Sequence, residues 1–347
     1  MQIAEYVFAQ GIYLWISQGL SLVTNLVPFS IMELEILILP IVAVVILIRF
    51  FWKLILRVIQ KQGGIATMLA GGVLNTACVI SIILFLYVNL AGVNYYRYSI
   101  ATFSNLNVQE TSVEELFALC MDLAEDAAKI RVQLQEQEDE YGVLKVNKGN
   151  WKELSEMATK SFEKAAHEYP VLAGKYGSPK PVFFSEVMSR MEINGIFWPF
   201  TMEANVNIAG GQYAIPATMS HELAHLRGFM KEDEANFIAY LVCRQSDSLE
   251  FQYSGTMLAL SYASNQLYRH DERLFQQVIN HYNEGMVTDL RADYYYWKQY
   301  EGTVISTVSN TMNDTYLKVN NQHDGVKSYG RMVDLLLADY RKNQHGE

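Results

Sequence analysis

Along the first hundred residues the hydrophobic positions run on without the polar interruptions of a soluble core. Residues 36–56, ILILPIVAVVILIRFFWKLIL, are unbroken apolar sequence over 36–48 and continue through aromatics interleaved with Arg49 and Lys53. Residues 65–93, IATMLAGGVLNTACVISIILFLYVNLAGV, carry no charge. A hydrocarbon core of about 30 Å takes roughly 20 helical residues, so both segments predict transmembrane helices. Arg49 and Lys53 can reach the interface along their stems, and Ala70, Gly71, Gly72 and Ala77 suit close helix contact.

Residues 1–30 follow a different pattern. Gln10, Ser17, Gln18, Ser21, Thr24 and Asn25 recur at helical spacing within apolar sequence that reaches Pro28. That stripe predicts an amphipathic helix lying along the membrane, with a third span as the alternative. No cationic start or small-residue cleavage site points to a secretory signal.

Beyond Arg97 the pattern changes to that of a folded domain. Thr111-Ser112-Val113-Glu114 reads as a capping box opening a helix toward Gln135. Residues 150–169 form a second helical stretch stopped by Pro170, and helical spacing fills most of 216–341. Between them KPVFFSEVM (180–188) and FTMEANVNI (200–208) read as strands separated by a turn at NGIFWPF. The expected fold class is α+β and mostly helical: an interfacial helix (1–30), a two-helix transmembrane anchor (31–97) and an extramembrane domain with a small sheet (98–347).

Charge sharpens this division. The net charge of −10 lies mostly beyond Arg97, and the absence of a basic face argues against nucleic acid as a partner. Arg49, Lys53, Arg57 and Lys61 fall at or between the two predicted spans. The positive-inside rule puts that connection in the cytoplasm and the acidic domain outside. Cys78, Cys120 and Cys243 make no disulfide framework.

One stretch carries candidate chemistry: SHELAHLRGFMKEDEAN, residues 220–236, in a chain with only seven histidines. His221-Glu222-Leu223-Ala224-His225 is H-E-x-x-H. Residues four apart on a helix differ by about 40° in azimuth and 6 Å in rise, so both imidazoles can meet one zinc ion. Glu222 is then placed to act as general base on water. Gly228 suits the end of that helix, and 231–243 read as a second helix turning back on it. Glu232 is the preferred third ligand, with Asn236 orienting an imidazole; Asp233 and Glu234 are the rivals. A first turn made acidic by the helix dipole is the competing reading for these three acids.

H-E-x-x-H followed by Glu232-Asp233-Glu234-Ala235-Asn236 resembles the gluzincin metallopeptidases, with Asn where that class has Asp. EDEANFIAYL also resembles an element of the ImmA-type regulator-cleaving bacterial peptidases. Over nearly the whole chain, the order of LVPFS, two spans, GVNYYR, NGIFWPFTMEANVN, HELAHLRGFMKEDEANFIAYL and NDTYLKVNNQHDGVKSYGRMVDLLL resembles a bacterial membrane family, domain of unknown function 3810. The resemblance implies a zincin-like domain in the bacterial plasma membrane. The gluzincin likeness implies that an edge strand beside the zinc helix pairs with substrate. Asn205 and Asn207 in EANVNI alternate as such a strand requires, and as ordinary strand residues also do. Tyr329 and Arg331 are candidates for a transition-state donor.

The expected function is a membrane-anchored zinc peptidase with Glu222 as general base and a peptide or protein as substrate. A non-catalytic zinc-binding sensor or assembly factor is the alternative. Retention of Glu222 next to the first ligand favours the enzyme.

Overall fold

The computed structural model describes residues 1–320 and 330–345. The chain opens with a continuous helix, π-wound over Ile3–Tyr13 and α-helical as α1 (Leu14–Thr24). α2 (Ile31–Ile59) and α3 (Ile65–Leu90) follow as an antiparallel hairpin, turned at Gly64 in the left-handed region (φ 83°). Both are long and apolar enough to cross a membrane, and their apolar side chains lie almost wholly exposed. A tight 3-10 turn, Gly92–Tyr96, leads through α4 (Ile100–Phe103) to α5 (Val113–Gln133) and α6 (Trp151–Ala165). A sheet region holds β1 (Lys180–Pro181), α7 (Ser185–Arg190), β2 (Gly195–Trp198) and β3 (Glu203–Val206). Then come α8 (Ile215–Leu226), α9 (Glu232–Arg244), α10 (Leu249–His270), α11 (Glu272–Ile279), α12 (Glu284–Lys298), α13 (Val304–Val319) and α14 (Gly330–His345).

The core is built around α10, which packs on α5 and α9, while α8 lies between α9 and the sheet. The capping box of α5 sits one residue later than the sequence suggests. Ser112 caps Glu115, whose side chain returns to the Ser112 N–H. The acids Glu232, Asp233 and Glu234 occupy the first turn of α9, where the dipole favours them.

The sheet departs from expectation. NGIFWPF is not a bare turn: its residues Gly195–Trp198 form β2, paired antiparallel with β3. KPVFFSEVM contributes only Lys180–Pro181 to a strand before turning into α7. The reason is long-range. The Phe183 and Phe184 N–H groups donate to Glu33 of α2, at 3.1 and 2.8 Å, rather than to a neighbouring strand. The strand order is β1-β3-β2, so β3 is central and β2 is an edge. Asn205 and Asn207 are therefore buried. Asn207 Nδ2 donates to Ser189 Oγ and the Ile193 carbonyl, each at 2.9 Å.

The N-terminal helix also turns its stripe in an unexpected direction. Gln18 accepts from Lys175 N–H (2.6 Å), Ser21 from Gly177 N–H (3.0 Å) and Asn25 from Ser178 N–H (3.1 Å). Thr24 donates to the Thr201 carbonyl at 3.1 Å. The polar face docks on the folded domain, leaving Ile3, Val7, Trp15, Val23 and Leu26 exposed. Periodicity marks a polar face without saying whether water or protein satisfies it.

Two buried charged clusters join this assembly. Glu5 accepts from Arg97 Nη2 (2.8 Å) and Nε (3.2 Å), from Tyr98 N–H (3.0 Å) and from Gln10 (3.0 Å). Glu203 pairs with Lys180 and accepts from the Ile31 and Met32 N–H groups at the start of α2, at 3.1 and 3.0 Å. The end of the hairpin away from its turn is thus bound to the domain, while Lys53, Arg57 and Lys61 lie toward the turn.

Removing one partner of a fully buried pair leaves the other charge uncompensated, at a cost of about 3–5 kcal/mol. Glu5→Ala should therefore lower the thermal midpoint of the detergent-solubilised protein by several degrees. An unchanged midpoint would show that the pair does not hold the N-terminal helix.

Candidate metal centre

His221 and His225 project from α8 toward Glu232, the first residue of α9. The turn between the helices is a Schellman motif. Gly228, left-handed at φ 87°, donates to the His225 carbonyl at 2.8 Å, and Phe229 N–H donates to the Ala224 carbonyl at 3.1 Å. The chain thereby reverses within a few residues and lays Glu232 against the preceding helix.

Each imidazole is oriented through Nδ1. His221 Nδ1 is 2.9 Å from Asn236 Oδ1, and His225 Nδ1 is 2.8 Å from the Phe229 carbonyl. A carbonyl can only accept, so both Nδ1 atoms carry a proton and each Nε2 is turned toward the cluster. Those Nε2 atoms face the Glu232 carboxylate, at 3.3 Å from His221 and 3.5 Å from His225. Asn236 is itself anchored by donating to Tyr262 Oη at 3.2 Å. The ligand atoms of His221, His225 and Glu232 all lie within 4.8 Å of one another.

The rival acids lie elsewhere. Glu234 accepts from Ile100 N–H at 3.2 Å and pairs with Lys231 at 3.0 Å. Asp233 is buried within range of the Arg331 charge on α14. Arg331 is exposed at the start of that helix, and Tyr329 lies outside the described residues.

Electrostatics favour a cation between the three ligands. Burial opposes ionisation of Glu232, but hydrogen bonds and charge from His221 and His225 outweigh it and hold the carboxyl well below its usual range. Burial likewise disfavours a charged His225, and Glu232 overrides it, pushing the imidazole up to about 9. A proton thus stands where a metal would supply positive charge. A His–His–carboxylate set is also the donor chemistry of catalytic zinc sites with an open position.

Glu222 occupies the next position around α8. Burial raises its carboxyl above the usual range, with His221 and His225 pulling the other way. Its Oε2 is buried without a hydrogen-bond partner. Gly195 of β2 makes room for it: a Cβ there would overlap Glu222 Oε1 and stand 2.8 Å from its Cγ. The wall beside the cluster includes Phe197, whose ring lies 6.4 Å from that of His225. Tyr95 donates to Tyr316 Oη at 3.2 Å, and burial raises both their pKa values, with a smaller contribution from the Glu232 charge. Sequence reasoning assigned no role to Tyr95, Gly195 or Tyr316. Their signal lay in GVNYYR, NGIFWPF and NDTYLK, the stretches that carry the family likeness.

Fold and site together define a mostly helical protein with a small mixed sheet, two apolar helices near the N-terminus and a His–His–Glu cluster. The chain belongs to the family described as "Protein of unknown function (DUF3810)", whose model matches residues 8–337. Neither the curated proteins nor the solved structures contain a match.

Loss of an outer partner that orients a ligand typically costs 10–100-fold in metal affinity. Asn236→Ala should weaken zinc binding by that factor in a chelator competition, and Glu232→Gln by more. Glu234→Gln should leave it unchanged; an effect confined to Glu234 would overturn the ligand assignment.

Proposed function

We propose that this protein is a membrane-anchored zinc peptidase of zincin-like architecture. α2 and α3 span the bacterial plasma membrane and hold the acidic domain outside the cytoplasm. The observation that carries the reading is the convergence of His221 Nε2, His225 Nε2 and the Glu232 carboxylate, beside a Glu222 carboxylate whose buried Oε2 has no hydrogen-bond partner. A site that only stabilised the fold would have no use for that second, buried carboxylate.

His221, His225 and Glu232 would hold the zinc, which when bound polarises the scissile carbonyl and lowers the pKa of water. Glu222 takes the proton from the attacking water and delivers it to the leaving amine. Its raised pKa suits both halves of that task, because a base poised nearer neutrality also serves as an acid. Gly195 keeps the carboxylate in place by leaving no side chain against it. β2, rather than the central β3, is the strand beside α8 with a free edge, so we assign it the pairing with substrate backbone. The hydroxyl of Tyr316, which accepts from Tyr95 Oη, is the donor we assign to the negative charge that develops on the carbonyl oxygen.

Purified protein should contain about one zinc per chain and cleave members of a peptide library. Glu222→Gln should keep the zinc and lose cleavage by at least 10²-fold. Zinc retained with no cleavage by wild type would sink the peptidase reading and leave a zinc-binding sensor. A second pair of variants separates roles at the site. Gly195→Ala should behave like Glu222→Gln, with zinc retained and kcat reduced. Tyr316→Phe should lower kcat by about 10²-fold with little change in KM, the signature of a donor used only in the transition state.

A further inference from the structure

The candidate centre is bound to the outer ends of both apolar helices by short connections. From the α3 side, Leu90 ends the helix and Tyr95 follows within the Gly92–Tyr96 3-10 turn. At about 2 Å rise per residue, that turn carries Tyr95 no more than about 10 Å beyond the span. Two residues later Arg97 donates to the Arg227 carbonyl at 2.9 Å, immediately after the zinc helix, and its guanidinium lies 4.1 Å from the Phe229 ring. Phe229 is the residue whose carbonyl holds His225.

From the α2 side the connection is shorter still. Glu35, in the second turn of α2, accepts from Trp198 Nε1 of β2 at 2.7 Å. The same four-residue strand begins at Gly195, packed against Glu222. A headgroup layer is roughly 5–8 Å thick on each side of the hydrocarbon. The edge strand and the Glu222 carboxylate therefore lie at headgroup level or just above it.

The surface around them is apolar where it faces that layer. α13 exposes Val304, Ile305, Val308 and Met312 along one side. Its far end is bound to the span: Tyr87 of α3 donates to Asn320 Oδ1 at 2.8 Å, and Tyr95 meets Tyr316. Its other side reaches the sheet region, where Asn310 Nδ2 donates to Glu192 at 2.7 Å. Phe183 and Phe184, exposed, hang beside the first turn of α2 through Glu33. α13 thus joins the end of α3 to the sheet region and exposes an apolar stripe along its first half.

We propose that the chain cuts membrane-anchored polypeptides within the first few residues beyond their own anchor, the segment lying along β2 beneath α13, whose apolar stripe rests in the outer leaflet. The proposal rests on the peptidase reading above and names its substrate class. A folded soluble protein cannot bring a peptide bond down to headgroup level beside β2, whereas a segment emerging from a lipid or helical anchor is already there. Confinement to the same bilayer also replaces bulk encounter with a millimolar-range effective concentration.

The test uses full-length protein in lipid nanodiscs and one randomised peptide pool in two forms, free and N-terminally palmitoylated into the same bilayer. Products are mapped by mass spectrometry, with Glu222→Gln as the blank. The anchored pool should be cut at least 10-fold faster, at positions about 3–8 residues from the anchor, the reach of roughly 10–25 Å of extended chain. Equal rates, or cuts spread evenly along the anchored peptides, would overturn the proposal and leave the peptidase standing. No cleavage of either pool would overturn both. Val308→Glu changes an exposed residue outside the site and should slow cutting of the anchored pool several-fold while sparing the free one. An equal fall for both would overturn the role given to α13.

Discussion

The left-handed turn at Gly228 is the constraint on which the site depends. It reverses the chain so that α9 begins against the end of α8, and it does so where three separate segments meet. A Cβ at that position would approach Arg97 Nη1 and Tyr13 Cε1, each to 3.1 Å. Tyr13 also donates to the Leu226 carbonyl at 3.2 Å, so the N-terminal helix satisfies one of the backbone groups that the end of α8 leaves open. Arg97 satisfies another. Glycine is needed here twice over, for its backbone conformation and for the space its missing side chain leaves. From this turn follow the position of the Phe229 carbonyl, the orientation of His225 and the placement of Glu232.

The charged groups beneath this turn set geometry more than stability. Buried pairs such as Glu5–Arg97 and Lys180–Glu203 lose much of their Coulombic gain to desolvation, so their net contribution is small when intact. What they provide is register. Glu5 has a single arrangement in which Arg97, Tyr98 and Gln10 all donate to it. Arg227, buried with no salt bridge among the described residues, is held instead between the Phe162 and Tyr176 rings, at 3.9 and 4.4 Å, and fixes the end of α8 from the opposite side. Such contacts penalise any displacement of α8, because each displaced donor would be left buried without a partner.

What could be read from sequence were the features encoded locally. H-E-x-x-H, the glycine after it and an acid at the start of the next helix are all short-range, and the structure brings His221, His225 and Glu232 together while turning Glu234 away. The two apolar helices were equally legible, since length and lack of charge suffice. Features set by distant partners were not. The strand at Gly195–Trp198 looked like a turn because Asn194, Gly195 and Pro199 dominate its composition, yet pairing with β3 and packing on α8 decide its conformation. Residues 180–188 looked like a strand because of their apolar run, but Glu33, far away in sequence, takes the N–H groups that a strand would have used. The stripe on the first helix was visible, while its partners at 175–178 and Thr201 were not.

The same long-range contacts bear on what the folded unit is. A domain cut at residue 97 would keep His221, Glu222, His225 and Glu232, and by local criteria it would look complete. It would lose Tyr13 and Glu5, and with Glu5 the partner that positions Arg97 behind the turn at Gly228. It would also lose the N–H groups of Ile31 and Met32 that Glu203 accepts from beneath the sheet, stranding that carboxylate with Lys180 alone among its long-range partners. The segments that look like an anchor therefore complete the polar bonding around the His–His–Glu cluster. A boundary drawn where the charge pattern changes marks where the long apolar runs end, and the cooperative structure runs straight across it.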